Sequence, residues 1–150
     1  MEFRRATASD IDAFIQNRIE FVASITDISD VSLFERNTRE YLIANIESNG
    51  VIVFIAVEEE SIVSSCMACV YETAPLISCM NGKTAEILNV YTKEEYRRQG
   101  LARRLLEMLL DELKIMGVEK VVLEYRPDAL ALYESMGFTL VEKRMQLKLG

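Results

Sequence analysis

The chain has 150 residues, half of them apolar, with a net charge of −7 and a single-domain length. The acidic balance disfavours a nucleic acid partner, since phosphate backbones call for a basic surface. No apolar run reaches the roughly 20 residues that span a bilayer, and Met1–Arg5 lacks the apolar stretch of a secretory signal, so a soluble cytoplasmic protein is expected.

The elements follow in chain order. Phe3–Ala6 reads as an edge strand. Ser9, with Asp10 and Asp12, reads as a helix start, and Ile11, Phe14, Ile15, Ile19 and Val22 continue at helical spacing to about Ser24. Ser29-Asp30 opens a second helix. Leu33, Phe34, Tyr41, Leu42 and Ile46 line its apolar side, and Asn49-Gly50 stops it. Val51–Val57 is a continuous, β-branched run of strand length. Glu58–Ser61 is a turn and Ile62–Tyr71 a returning strand, which together predict a hairpin. Ala74–Gly82 is a loop and Ala85–Tyr91 a strand. After a charged connection, Gly100 opens a helix to about Met116, with Leu101, Leu105, Leu109 and Leu113 facing inward. Val118–Tyr125 is a strand, Pro127–Met136 a short helix, and Phe138–Leu149 a last strand. This alternation predicts one mixed α/β domain over residues 1–150, its sheet of about six to seven strands flanked by helices.

Histidine is absent, which removes Ser-His-Asp and Cys-His catalysis and histidine-ligated zinc. Cys66 and Cys69 lie three apart on a strand and so point to opposite faces, which argues against a shared metal or disulfide; no metal is expected.

The stretch Ile87–Ala102 reads as strand, loop and helix start. The first turn of a helix offers free N–H groups and the positive end of its dipole, an anion site. Gly100 leaves room for close approach, Leu101 and small Ala102 add N–H groups, and Arg97, Arg98, Arg103 and Arg104 add positive charge. The same residues also suit an ordinary helix start beside a solvated basic patch. Neither the Rossmann glycine pattern nor the P-loop pattern is present.

Arg97-x-x-Gly100-x-Ala102 resembles the Arg/Gln-x-x-Gly-x-Gly/Ala signature of the GNAT N-acetyltransferase superfamily. A Leu-x-Val-Tyr strand precedes it, a long amphipathic helix follows, and Leu132-Tyr-Glu-x-x-Gly-Phe138 resembles a second superfamily segment. The resemblance covers essentially the whole chain. It implies the GNAT (acyl-CoA N-acyltransferase) fold and transfer of an acetyl group from acetyl-CoA to a primary amine of a small molecule or peptide. It implies that Arg97, Arg98, Gln99, Gly100, Leu101, Ala102 and Arg103 hold the pyrophosphate. The preceding strand is then bulged, and pantetheine pairs with Asn89, Val90 and Tyr91 opposite the strand Val118–Tyr125. A backbone N–H near Val90 would meet the developing oxyanion, and Tyr133 would be the proton donor to the leaving thiolate. Tyr133 also suits a core position. Glu86, which simple alternation puts on one face with Leu88 and Val90, is the candidate base, or else a solvated strand-end charge.

Two departures stand out. Arg98 replaces a glycine frequent in this loop, which makes the turn harder to tighten. Arg126 stands where an Asn often contacts CoA. The acceptor would be held by the first two helices, the Ala74–Gly82 loop and the last hairpin, where no motif is visible, although Asp27, Asp30 and Glu72 could meet a cation. A homodimer is common in such folds. A non-catalytic CoA-binding module of the same fold and transfer of a larger acyl group are the rival readings.

Overall fold

A computed structural model describes residues 1–141 and 143–150. Strand β1 (Glu2–Arg5) is followed by helices α1 (Ile11–Ala23) and α2 (Val31–Asn45). Strands β2 (Val51–Glu58), β3 (Ser61–Glu72) and β4 (Lys83–Thr92) come next. Helix α3 (Leu101–Ile115), strand β5 (Lys120–Leu123) and helix α4 (Leu130–Ser135) complete the order. The strands form one sheet in the order β1-β2-β3-β4-β5. Its first three pairings are antiparallel and β4–β5 is parallel.

The sheet is covered on both faces, so β2 is a near-continuous apolar run rather than an alternating one. Ile52, Phe54 and Ala56 face α3, where they meet Leu105, Leu106, Leu109 and Leu113. Val51, Val53 and Ile55 face α1 and α2, where they meet Phe14, Ile15, Leu42 and Ile46. Cys66 belongs to the first core and Cys69 packs against the second, on opposite faces as strand geometry requires.

The starts of the first two helices are held by carboxylates. Asp30 accepts from the Leu33 N–H at 3.0 Å and caps α2. Before α1, Thr7 rather than Ser9 stands at the cap, and a 3-10 turn over Ala8–Asp10 leads into the helix. Asp10 accepts from Arg4 at 2.8 and 2.9 Å and from the Thr7 N–H at 2.8 Å. Arg4, before the Thr7 bonds, holds the Asp10 carboxyl down at about 2.

The strand count differs from expectation. The sheet has five strands among the described residues, not six to seven. The expected strand Phe138–Leu149 forms no pairing there, and Glu142 lies outside the described residues. Val141, Met145, Leu147 and Leu149 alternate as a strand should, yet they are exposed, Met145 by 98%. Period-two patterning makes a strand only when a sheet edge receives it. The neighbouring edge, β5, is itself only four residues, Lys120–Leu123 against the expected Val118–Tyr125: the end of α3 takes Val118, and the pairing with β4 stops at Leu123. The N–H groups of Gly117 and Val118 bond back to Lys114 O at 3.1 Å and Leu113 O at 3.0 Å, with Gly117 at φ +82°. This is a left-handed helix closure that extends one residue into the expected strand.

Candidate active site

The parallel pairing of β4 with β5 runs only from Thr84–Lys120 to Ile87–Leu123, although β4 continues to Thr92. Beyond Ile87 the two chains part around a cleft of about 990 Å³. Its walls are Glu86–Thr92, residues 123–126, the loop and first turn leading into α3, Tyr133, and part of α1. The expected gap beside Asn89, Val90 and Tyr91 is therefore present.

The cause of the parting is a bulge. In the β3–β4 register, Ala68 faces Ile87 and Met67 faces Asn89, so Leu88 is an extra residue without an opposite number. The insertion reverses the alternation. Ala85 and Ile87 belong to the α3-side core, and Val90 packs there too. Asn89 instead bonds Ser65 on the α1 side, where Tyr91 also meets the Phe21 ring at 5.6 Å. The expectation that Glu86, Leu88 and Val90 share a face is overturned: Glu86, beside Cys69, shares its face with Asn89 and Tyr91.

At the other end of the cleft is the start of α3. Gly100 is its N-cap at φ +76°, and the first turn has no side-chain cap and no acidic residue. Its N–H groups are thus open toward the cleft, which Gly100, Leu101 and Ala102 line. A Cβ added at Gly100 would meet nothing within 4 Å, so within the protein itself glycine is favoured by the positive φ alone. Arg98 sits at φ +62°, a left-handed conformation that the more usual glycine would adopt without cost; roughly 1–2 kcal/mol of backbone strain is held here.

The basic residues divide. Arg97 and Arg98 line the cleft, with Arg97 Nε donating to Thr92 O at 3.0 Å. Arg103 lines it too, but is tied to the Ser135 hydroxyl and lies 3.8 Å from Glu107. Arg104 turns away, its guanidinium 3.9 Å from the centroid of the Phe3 ring, and is no part of the patch. Gln99 is exposed and does not line the cleft, and Leu101 is buried in the core apart from its backbone. Arg126 stands at the rim, 3.8 Å from Asp128.

Tyr133 is 7% exposed and packs edge-on against Phe138 at 5.7 Å, so the core position is real. It also borders the cleft. Burial pushes its phenol up to about 12, so the proton stays on the oxygen through the neutral range. Glu86 is half-buried in the cleft wall.

Three further polar residues went unnoticed in the sequence. Asn17, buried on α1, accepts from the Ser65 hydroxyl at 2.6 Å. Ser65 accepts from Asn89 Nδ2 at 2.9 Å, and Asn89 Oδ1 accepts from Arg18 Nη1 at 3.1 Å. This chain stitches α1 to β3 and to the bulge. The available signal was Ser64-Ser65 inside an apolar strand and Asn17-Arg18 inside an apolar helix face. Buried polar groups require partners, so each pair announced a missing one.

The acetyltransferase (GNAT) family model matches residues 20–138. The [Ribosomal protein bS18]-alanine N-acetyltransferase of Escherichia coli is 49% identical over 57 residues, 36% of this chain and 38% of that protein's length. An N-alpha-acetyltransferase of Saccharolobus solfataricus is 26% identical over 131 residues, 83% of this chain and 78% of that one. The fold matches the crystal structure of a predicted acetyltransferase with acetyl-CoA from Clostridium acetobutylicum, with a TM-score of 0.86 at 23% identity over 99% of this chain and 96% of that one. With the parted strands, the bulge and the open start of α3 falling inside the matched span, the chain belongs to the acetyltransferase (GNAT) family.

Proposed function

We propose that the protein is an N-acetyltransferase that uses acetyl-CoA as donor and a primary amine as acceptor, both bound in one cleft. The observation that carries this reading is the abrupt end of the β4–β5 pairing at Ile87–Leu123, with an uncapped helix start at the far end of the same opening. Acetyl-CoA suits that shape. The N–H groups of the first turn of α3, with Arg97 and Arg98, would hold the pyrophosphate. The β4 backbone at Asn89–Tyr91, unpaired on its β5 side, would accept the pantetheine amides as an added strand.

When bound, acetyl-CoA supplies an activated acyl carbon to the amine nitrogen. The chain's own groups do the rest. A backbone N–H near Val90 offers a hydrogen bond to the oxygen on which negative charge builds. Tyr133, its proton retained by burial, donates toward the departing sulfur, whose ordinary pKa of about 8.5 makes a positioned donor useful. Glu86, on the α1 face of β4, takes a proton from an acceptor that arrives as an ammonium. The two relatives named for acetylation of alanine or of N-alpha amines favour an α-amine among possible acceptors.

Calorimetric titration with acetyl-CoA, followed by thiol release in the presence of candidate amines, tests the reading. Micromolar binding with amine-dependent release supports it. Binding without release on any amine would leave a CoA-binding module. A folded protein that does not bind acetyl-CoA would refute the assignment.

A further inference from the structure

Arg4, Arg5, Arg39, Arg103 and Arg126 each have a carboxylate within 4.0 Å. Arg18 has none among the described residues, although it is half-buried between α1, α2 and β4. Nη1 donates to Asn89 Oδ1 at 3.1 Å and to Leu88 O at 3.4 Å, and the guanidinium lies 5.7 Å from the centroid of the Phe34 ring. These contacts fix the group against the bulge and leave its opposite edge, Nε and Nη2, without a protein acceptor among the described residues. That edge is the planar pair of donors that suits a carboxylate. Burial pulls the Arg18 pKa down, yet arginine does not shed its charge, so a positive charge stands in the cleft wall hydrogen-bonded only to neutral acceptors.

Glu86 lies in the same wall, on the same face of β4 as Asn89. Cys69 feels both charges, Arg18 and Glu86, while no direct ion pair joins them. The acceptor side of the cleft thus presents one fixed positive and one negative group beside the residues that border the donor.

We infer that Arg18 selects the acceptor by binding a carboxylate on it, so that the preferred substrate is a primary amine with a carboxylate a few bonds from the nitrogen. This rests on the acetyltransferase reading above. Arg18 touches the bulge residue Leu88, one position before Asn89–Tyr91, so an anion held there lies close to the amine that attacks. Two sources offer this chemistry: a free amino acid, and a peptide whose N-terminal residue is acidic.

The test compares kcat/KM for matched acceptors in two arms. One arm sets free amino acids against their amides. The other sets peptides beginning with Asp or Glu against those beginning with Asn or Gln. The carboxylate member of a pair is expected to lead by about tenfold or more in at least one arm, the magnitude of a charge-assisted hydrogen bond. Arg18→Gln should bring that ratio to near one, and Arg18→Lys should keep part of it, with acetyl-CoA affinity measured alongside by calorimetry. Equal kcat/KM within every pair for the wild type would overturn the inference while leaving the acetyltransferase reading intact. So would an Arg18→Gln protein that keeps the ratio, or one whose loss of turnover is matched by its loss of acetyl-CoA binding. A wild type that does not bind acetyl-CoA would overturn both.

Discussion

The two halves of the cleft are built on different terms. The proposed donor half is made mainly of backbone: the N–H groups at the start of α3 and the unpaired side of β4. The proposed acceptor half rests on side chains brought from distant parts of the chain: Arg18 of α1 and Asn89 of β4 at the cleft wall, with the buried Asn17 of α1 and Ser65 of β3 behind them in one hydrogen-bonded series. A backbone site tolerates many sequences provided a few conformations are met. A side-chain site depends on each member. The first can serve a whole family with one donor, while the second is free to differ from one acceptor to the next.

The contrast can be broken most sharply at Gly100. Gly100→Glu places a negative side chain at the open helix start, where substitution meets open space within the protein and the penalty falls on the ligand. Loss of acetyl-CoA affinity by about 100-fold or more is expected, from combined bulk, charge and positive-φ strain. Circular dichroism should show the fold intact. Normal binding would move the donor site elsewhere. Next in size, Tyr133→Phe should reduce kcat by about 100-fold, the usual worth of a positioned acid, with acetyl-CoA affinity nearly unchanged. Because its pKa lies near 12, no alkaline limb below about pH 10 should belong to Tyr133 in the wild-type rate profile. Equal turnover in the variant would reduce Tyr133 to a core residue.

On the acceptor side, Asn17→Ala leaves the Ser65 hydroxyl without its acceptor. It should cost about 1–3 kcal/mol in chemical denaturation, the penalty of an unpaired buried group. Acceptor KM should rise more than the acetyl-CoA Kd. A larger change in the acetyl-CoA Kd would erase the division between the halves. The smallest effect is at Arg98, where replacement by glycine relieves the left-handed backbone. A gain of about 1 kcal/mol is expected, together with a modest loss of CoA affinity from the missing charge. A destabilised Arg98→Gly protein would mean that the side chain, not the turn, matters there.

The same division explains what could be read in advance. The donor half rests on a local pattern, Arg97-x-x-Gly100-x-Ala102 between a strand and a helix, and local patterns survive in a linear text. Arg98 was also readable as a departure from glycine that makes the turn harder to tighten, but its positive φ came only with the structure. Arg18 was not, because nothing near it in sequence says that Leu88 O and Asn89 will lie within reach. The face of Val90 was misplaced for a related reason: alternation assumes an unbroken ladder, and the extra residue Leu88 breaks it. At Phe138–Leu149 the pattern was strand-like, but pairing depends on an edge that the pattern does not contain.

The bulge has a practical meaning for redesign. Upstream of Leu88 the even position Glu86 lies on the α1 face, while downstream the odd positions Asn89 and Tyr91 do so. A mutational library that varies every second residue through β4 would therefore sample the α1 face in one half and the α3-side core in the other. Libraries phased separately on either side of Leu88 would keep the sheet intact while exploring substrate range. Deleting Leu88 would remove the bulge and make the ladder with β3 continuous while Asn89 stays opposite Met67, so the faces after it would be kept and the local kink lost, a step that no series of point substitutions reproduces.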